Sequence, residues 1–134
     1  MMKDRLAAAR VARLATVGHD GRPHVVPISF AVAADTLFFA VDSKPKRSRD
    51  LQRLRNIAVH PEVSVLVDHY GEDWSTLWWV RADGKARVVA DPAESGRAID
   101  LLAARYPQYQ EARPLGPVVA VEIGRISGWS ARQG

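Results

Sequence analysis

The chain has 134 residues, 47% hydrophobic and 25% charged, with no cysteine and a formal net charge of +4. These proportions suit one soluble globular domain with a real core, and the missing thiols exclude disulfides, thiolate catalysis and zinc–thiolate sites. No apolar run approaches the ~20 residues of a membrane span, and Met1-Met2-Lys3-Asp4-Arg5-Leu6 leads into no signal-peptide core, so a cytoplasmic protein without membrane contact is expected.

In chain order, residues 4–10 read as a short helix and residues 11–17 as a strand. Residues 18–23 form a turn with an Asp-Gly hairpin signal at Asp20-Gly21. Residues 24–32 alternate as one strand, with Val26, Ile28, Phe30 and Val32 on one face and Val25, Pro27, Ser29 and Ala31 on the other. Pro27 is the exception inside it. Proline cannot donate to a ladder, so it marks an edge or a local break in pairing. A break would expose backbone groups of Val26, Pro27, Ile28 and Ser29 to a flat heterocycle; an ordinary edge strand explains the proline equally well. After a turn at 33–35, the aromatic and β-branched run 36–41 is the third strand of a meander.

Residues 42–55, D-S-K-P-K-R-S-R-D-L-Q-R-L-R, hold six basic residues (Lys44, Lys46, Arg47, Arg49, Arg53, Arg55) against Asp42 and Asp50. Their surplus of +4 equals that of the whole chain, so the basicity is local. Leu51, Leu54, Ile57 and Ala58 recur at helical spacing, with Ser48 as N-cap and Pro61 beyond the end. Strand, Lys-Pro-Lys-Arg loop and helix thus follow one another. Cations beside a helix N-terminus are mildly unfavourable alone, whereas a bound anion would satisfy the free N–H groups and the basic side chains together. A solvated basic loop is the plainer alternative. A nucleic-acid-binding helix is a third, but its basic patch would spread more widely than this charge-balanced remainder allows.

Residues 62–68 form a fourth strand and 69–73 a loop. Residues 74–80 and 85–90 make an aromatic fifth strand region, interrupted by a turn at Ala82-Asp83-Gly84. Asp91 and Pro92 open a helix that buries Ile99, Leu102 and Ala103 and ends near Tyr106-Pro107. Residues 108–117 read as loop and 118–123 as the last strand, with Gly128-Trp129 near the end. A mainly β chain with inserted helices is expected, its six strands forming a closed or nearly closed antiparallel barrel over residues 1–134.

Trp78 and Trp79 must point to opposite sheet faces, so one packs in the core and the other covers a ligand or a subunit contact. His19, His24, His60 and His69 show no metal-ligand spacing, and no P-loop, H-E-x-x-H or G-x-S-x-G occurs. Asp68-His69 lacks a matched nucleophile, so no catalytic side chain and no metal ligand is assigned. An anion cradle beside a heterocycle-friendly strand points to chemistry carried by a cofactor.

The segments A-R-L-A-T-V-G-H-D-G-R-P-H-V-V-P-I-S-F, L-F-F-A-V-D-S-K-P-K-R and H-P-E-V-S-V-L-V-D resemble the pyridoxamine 5′-phosphate oxidase-like superfamily. K-P-K-R together with D-H-Y-G-E-D-W-S-T-L-W-W-V-R-A-D-G-K-A-R-V is similar to its actinobacterial branch that depends on coenzyme F420. The resemblance implies a six-stranded FMN-binding split barrel, a homodimer with cofactor sites at the subunit interface, and hydride transfer between F420 and a small organic substrate. By position, Lys46 and Arg47 match the basic pair that holds the cofactor phosphate, and Val26, Pro27, Ile28 and Ser29 match the strand against the ring. Asp42, Lys44 and Trp78 complete the expected cofactor-binding set. The chain lacks the C-terminal Trp and Arg motif of true pyridoxamine phosphate oxidases, so that activity is not expected. FMN is the alternative cofactor, and a non-catalytic cofactor-binding module the alternative role.

Overall fold

The computed structural model describes residues 1–41, 48–114 and 116–132. Helix α1 (Met2–Ala8) leads into strands β1 (Ala12–Val17), β2 (Pro23–Ile28), β3 (Ala31–Ala33) and β4 (Thr36–Ala40). Helix α2 (Ser48–Val59) precedes β5 (Glu62–His69) and β6 (Trp78–Val88), and α3 (Pro92–Arg105) and α4 (Pro107–Glu111) precede β7 (Val118–Ser130). The seven strands make one antiparallel sheet in the order β2-β1-β5-β6-β7-β4-β3. Its two edge strands are consecutive in the chain, separated only by Ser29 and Phe30. The sheet must therefore curl until its edges meet at one covalent stretch.

The mainly β architecture with inserted helices is the one expected, but among the described residues the strand count is seven rather than six. The extra strand comes from residues 24–32, which were expected to be continuous. They pair with β1 as far as Ile28, then with β4 from Ala31. Pro27 lies opposite Arg13 on the edge strand β2, close to this handover, where a missing N–H is tolerated.

Phe30, between the two ladders, has its backbone groups satisfied by side chains. Its N–H donates to the Tyr106 hydroxyl at 3.0 Å, and its carbonyl accepts from Arg105 Nη1 at 2.7 Å. The single Tyr106 proton has Arg10 O at 2.9 Å and Phe30 O at 3.0 Å within reach. Arg105 Nη2 also donates to Ala9 O at 2.6 Å. The end of α3 thus holds together the two edges of the sheet and the entry to β1.

Four further expectations are corrected. The turn expected at residues 82–84 is uninterrupted β6, because neighbours pair with it on both sides. Gly84 is needed there for close approach: a Cβ would lie 2.3 Å from Glu122 O. The irregularity falls on β7, where Gly124 is an extra residue between Ile123 and Arg125, a β-bulge. β7 continues to Ser130, so Trp129 lies in a strand opposite Trp79. Residues 74–76 form a 3-10 turn, not strand, with Asp73 as its cap. The expected loop at 108–117 begins inside the short helix α4.

The barrel interior buries Leu14, Phe30, Leu37, Phe39, Val65 and Val121 completely. α2 closes it with Ile57, and the Asn56 amide, 2% exposed, donates to the buried Thr16 hydroxyl at 3.0 Å while accepting from Gln52 at 2.8 Å. α3 covers the outer side of the β3-β4-β7 half, setting Ala98 against Phe38, Val118 and Ala120, and Leu102 against Ala31. Arg87 on β6 donates to both carboxylate oxygens of Glu94 (2.9 and 2.8 Å) and to Glu122 (2.8 Å), fixing the first turn of α3. These bonds hold the Glu94 carboxyl below its ordinary range. Its contribution is present above the ordinary carboxylate pKa and fades as pH falls through the folded value. Among the described residues no helix is long and apolar enough to cross a membrane.

Tyr106 is 8% exposed, so removing its hydroxyl strands a buried N–H. Tyr106→Phe should lower the unfolding free energy by roughly 1–3 kcal/mol, read as a lower urea midpoint at unchanged m-value. A wild-type midpoint would show that the hydroxyl does not hold the handover.

Candidate functional site

The strands present their outward residues to one surface. β1 contributes Arg13 and Ala15, β5 contributes Ser64, Leu66 and Asp68, and β6 contributes Trp79, Arg81 and Asp83. On β7, Val119 and Val121 point into the barrel, yet Trp129, of the same parity, faces out. The Gly124 bulge makes that switch, because one extra residue exchanges the faces of everything beyond it.

The resulting groove, of about 540 Å³, is lined by Arg13, Leu66, Tyr70, Trp79, Arg81 and Trp129 among others. A second, of about 660 Å³, shares Ala15 and Ser64 with it and runs toward Lys85 and Arg125. Trp129 is 50% exposed and Val25, on the same surface, 61%. The polar centre of the face is organised around one oxygen: Asp83 Oδ1 accepts from Ser64 Oγ at 2.7 Å and lies 3.0 Å from Arg81 Nε. At the rim, Ser75 donates its N–H (3.1 Å) and hydroxyl (2.7 Å) to Asp73. Those two bonds hold the exposed Asp73 carboxyl below its ordinary value. Thr76 Oγ1 lies 3.3 Å from His69 Nε2.

The expected site residues divide. Val26 and Ile28 point inward against the core, Pro27 is exposed on the outer side of the edge strand, and Ser29 sits at the handover. Trp78 packs on the barrel core with the Arg5 guanidinium 4.7 Å from its ring centroid, and also reaches the groove wall. Trp79 is the tryptophan of the bare face. Asp42, Lys44, Lys46 and Arg47 lie outside the described residues. Their flanks are Val41, whose N–H donates to Pro117 O at 2.8 Å, and the first turn of α2. β3, which follows Ser29 and Phe30, pairs with β4, which leads to Val41, so the handover and the approach to the basic stretch belong to adjacent strands.

Sequence reasoning missed the opposite side of the seam. Ser29, Arg10, Val11, Tyr106, Pro107 and Tyr109 line a cavity of about 490 Å³ there. Tyr106-Pro107 was visible only as a helix end, and nothing local announces that Tyr106 and Arg105 cross to Phe30. The outward placement of Arg13 was available from the alternation of residues 11–17.

Solved structures of the same fold cover nearly the whole chain. A conserved hypothetical protein of Mycobacterium tuberculosis is similar at 25% identity and a TM-score of 0.78, over 96% of this chain and 82% of that one. An FAD-binding protein of Mesorhizobium loti is similar at 23% identity and 0.72, over 95% and 90%. The heme storage protein of Vibrio cholerae is similar at 18% and 0.73, over 96% and 91%. No curated protein matches the sequence significantly. The family model described as pyridoxamine 5′-phosphate oxidase matches residues 1–130, and the chain belongs to that family.

Proposed function

We propose that this protein is a cytoplasmic, homodimeric oxidoreductase that binds a flavin-type cofactor, with coenzyme F420 preferred to FMN, and uses it on a small organic acceptor. The observation that carries the reading is the open seam of the sheet, where β2 is, among the described residues, an edge strand ending in Pro27 and Ile28, with Ser29 just beyond it. Backbone N–H and C=O groups on the far side of an edge strand have no ladder partner, and they suit the polar rim of a flat heterocycle. The family match over residues 1–130 supports the same reading. Relatives of this fold include an FAD-binding protein and a heme storage protein, both associated with large flat ring systems.

The residues present fit such a group. Pro27 and Ser29 would face its ring, and Lys46 and Arg47, with Asp42 and Lys44 beside them, would hold its phosphate. Trp78 is a further wall residue. When bound, the cofactor supplies hydride chemistry; the chain's own part is to orient it, exclude water and hold the phosphate charge. No side chain is assigned as acid or base. Turnover of an acceptor would distinguish an enzyme from a storage protein of the same fold.

The bare outer face gives the second half of the reading. α3 covers the β4 side of the sheet, whereas the half-buried Leu66 and Trp79 and the exposed Trp129 line a groove that reaches Val25 on β2. A second copy seated there would bury them and enclose the edge strand. Sedimentation at micromolar concentration should give twice the 14.8 kDa chain mass, and Trp129→Lys should give monomer with weakened cofactor binding. A wild-type monomer that still binds cofactor would remove the interface from the model.

Charge-assisted contacts contribute roughly 1.5–3 kcal/mol each. Lys46→Ala should therefore weaken cofactor binding by about ten- to a hundredfold and leave the unliganded melting curve nearly unchanged. Wild-type affinity in both Lys46→Ala and Arg47→Ala would reject the phosphate assignment.

F420 extends beyond its phosphate into glutamyl carboxylates, and FMN does not. Arg49, Arg53 and Arg55 are the residues that would attract that tail, and such an ionic attraction weakens as salt rises. F420 should bind more tightly than FMN at low ionic strength, with the gap narrowing as salt rises and in the double variant Arg53→Gln, Arg55→Gln. Equal salt slopes, or tighter FMN binding throughout, would assign the protein to FMN.

A further inference from the structure

Two guanidinium groups flank one aromatic ring at the seam. Arg10 lies 5.0 Å and Arg105 5.3 Å from the centroid of Tyr106. Their hydrogen-bond acceptors are carbonyl oxygens: Arg10 donates to Arg105 O at 2.5 Å, and Arg105 to Phe30 O and Ala9 O. Among the described residues neither enters an ion pair. Carbonyls satisfy donors without cancelling charge, so both guanidinium groups keep their positive charge, and Arg10 brings its own to the cavity wall.

Only one of the two is placed for a ligand. Arg105 is half-buried and binds backbone on both sides of the handover, whereas Arg10 is exposed and lines the cavity. A guanidinium carries five N–H donors, so the bond to Arg105 O leaves Arg10 able to grip a carboxylate through two more. Besides the polar Ser29 and Gln108, the wall offers Val11, Pro107, and the rings of Tyr106 and Tyr109, which meet edge to face at 5.8 Å. At about 490 Å³ the cavity falls within the range of small-molecule sites.

We propose that this seam cavity binds a small aromatic carboxylate, its ring against Pro107 and Tyr109 and its carboxylate on Arg10. Because Ser29 belongs to both this cavity and the strand assigned to the cofactor ring, such an anion would sit where an acceptor must lie. That role rests on the cofactor reading; the anion site itself does not.

The test is titration of the full chain with 2-naphthoate and with its neutral counterpart 2-naphthamide, followed by calorimetry and naphthalene fluorescence. The carboxylate should bind at least about tenfold more tightly, with the preference shrinking as salt rises. Arg10→Gln should erase the preference while retaining the wild-type melting temperature, and Arg97→Gln, on the exposed side of α3, should keep it. Equal affinity for the two probes, or a preference that survives Arg10→Gln, overturns the proposal. F420 and FMN titrations on the same preparation separate the two readings. Anion preference without cofactor binding supports the site and discards its redox role; cofactor binding without anion preference discards the site alone.

Discussion

Seven strands form one sheet whose ends are joined by two residues, and the backbone of Phe30 must find partners in that gap. A buried N–H and C=O left unpaired there would each cost free energy comparable to a lost hydrogen bond. Tyr106 and Arg105 supply the partners. The side chains come from the far end of a helix inserted between β6 and β7, so closure of the barrel depends on α3 being in place. Arg87, gripping Glu94 at the start of that helix and Glu122 on β7, secures its other end. The β2–β3 strand can leave one neighbour for the other because the helix accepts the polar groups it releases.

That closure separates the sheet into two environments. On one half α3 supplies the apolar cover for Phe38, Val118 and Ala120. On the other half, among the described residues, no helix does the same for Leu66, Trp79 and Trp129, and a largely apolar groove rimmed by Arg13, Asp68 and Arg81 results. Large exposed apolar patches on soluble proteins mark places where something else binds. The Gly124 bulge is the local device behind this asymmetry. It lets one strand contribute valines to the barrel core and a tryptophan to the outside.

The seam and the bare face meet at β2, which is both the edge of the sheet and the neighbour of β1 on the uncovered side. A flat ring held at that edge would lie beside a second subunit seated on the face. The seam cavity around Arg10 opens just past the end of that strand, at Ser29. β2 and the Ser29 that follows it therefore border the proposed cofactor, subunit and anion sites.

Much of this was legible from residue order. Alternation marked β1 and ran β2 and β3 together as one strand, the aromatic and β-branched run marked β4, the 3.6-residue spacing of Leu54 and Ile57 marked α2, and Asp91-Pro92 marked the start of α3, because these signals are local. Pro27 correctly announced an edge or a break, since a missing N–H has the same consequence in any fold. The bulge at Gly124 and the continuity of β6 through Asp83-Gly84 were not legible. Asp-Gly reads as a turn wherever neighbours are unknown, and only strands on both sides keep it extended. The clasp was hidden for a related reason: Phe30 and Tyr106 lie 76 positions apart, and their hydrogen bond exists only once the sheet has curled. Sequence alone determined the locally signalled elements, such as β1, α2 and the start of α3, and the local basicity of residues 42–55. Tertiary structure decided which elements lacked partners, because an unpaired edge, an uncovered face and an unneutralised guanidinium are defined by what packs beside them.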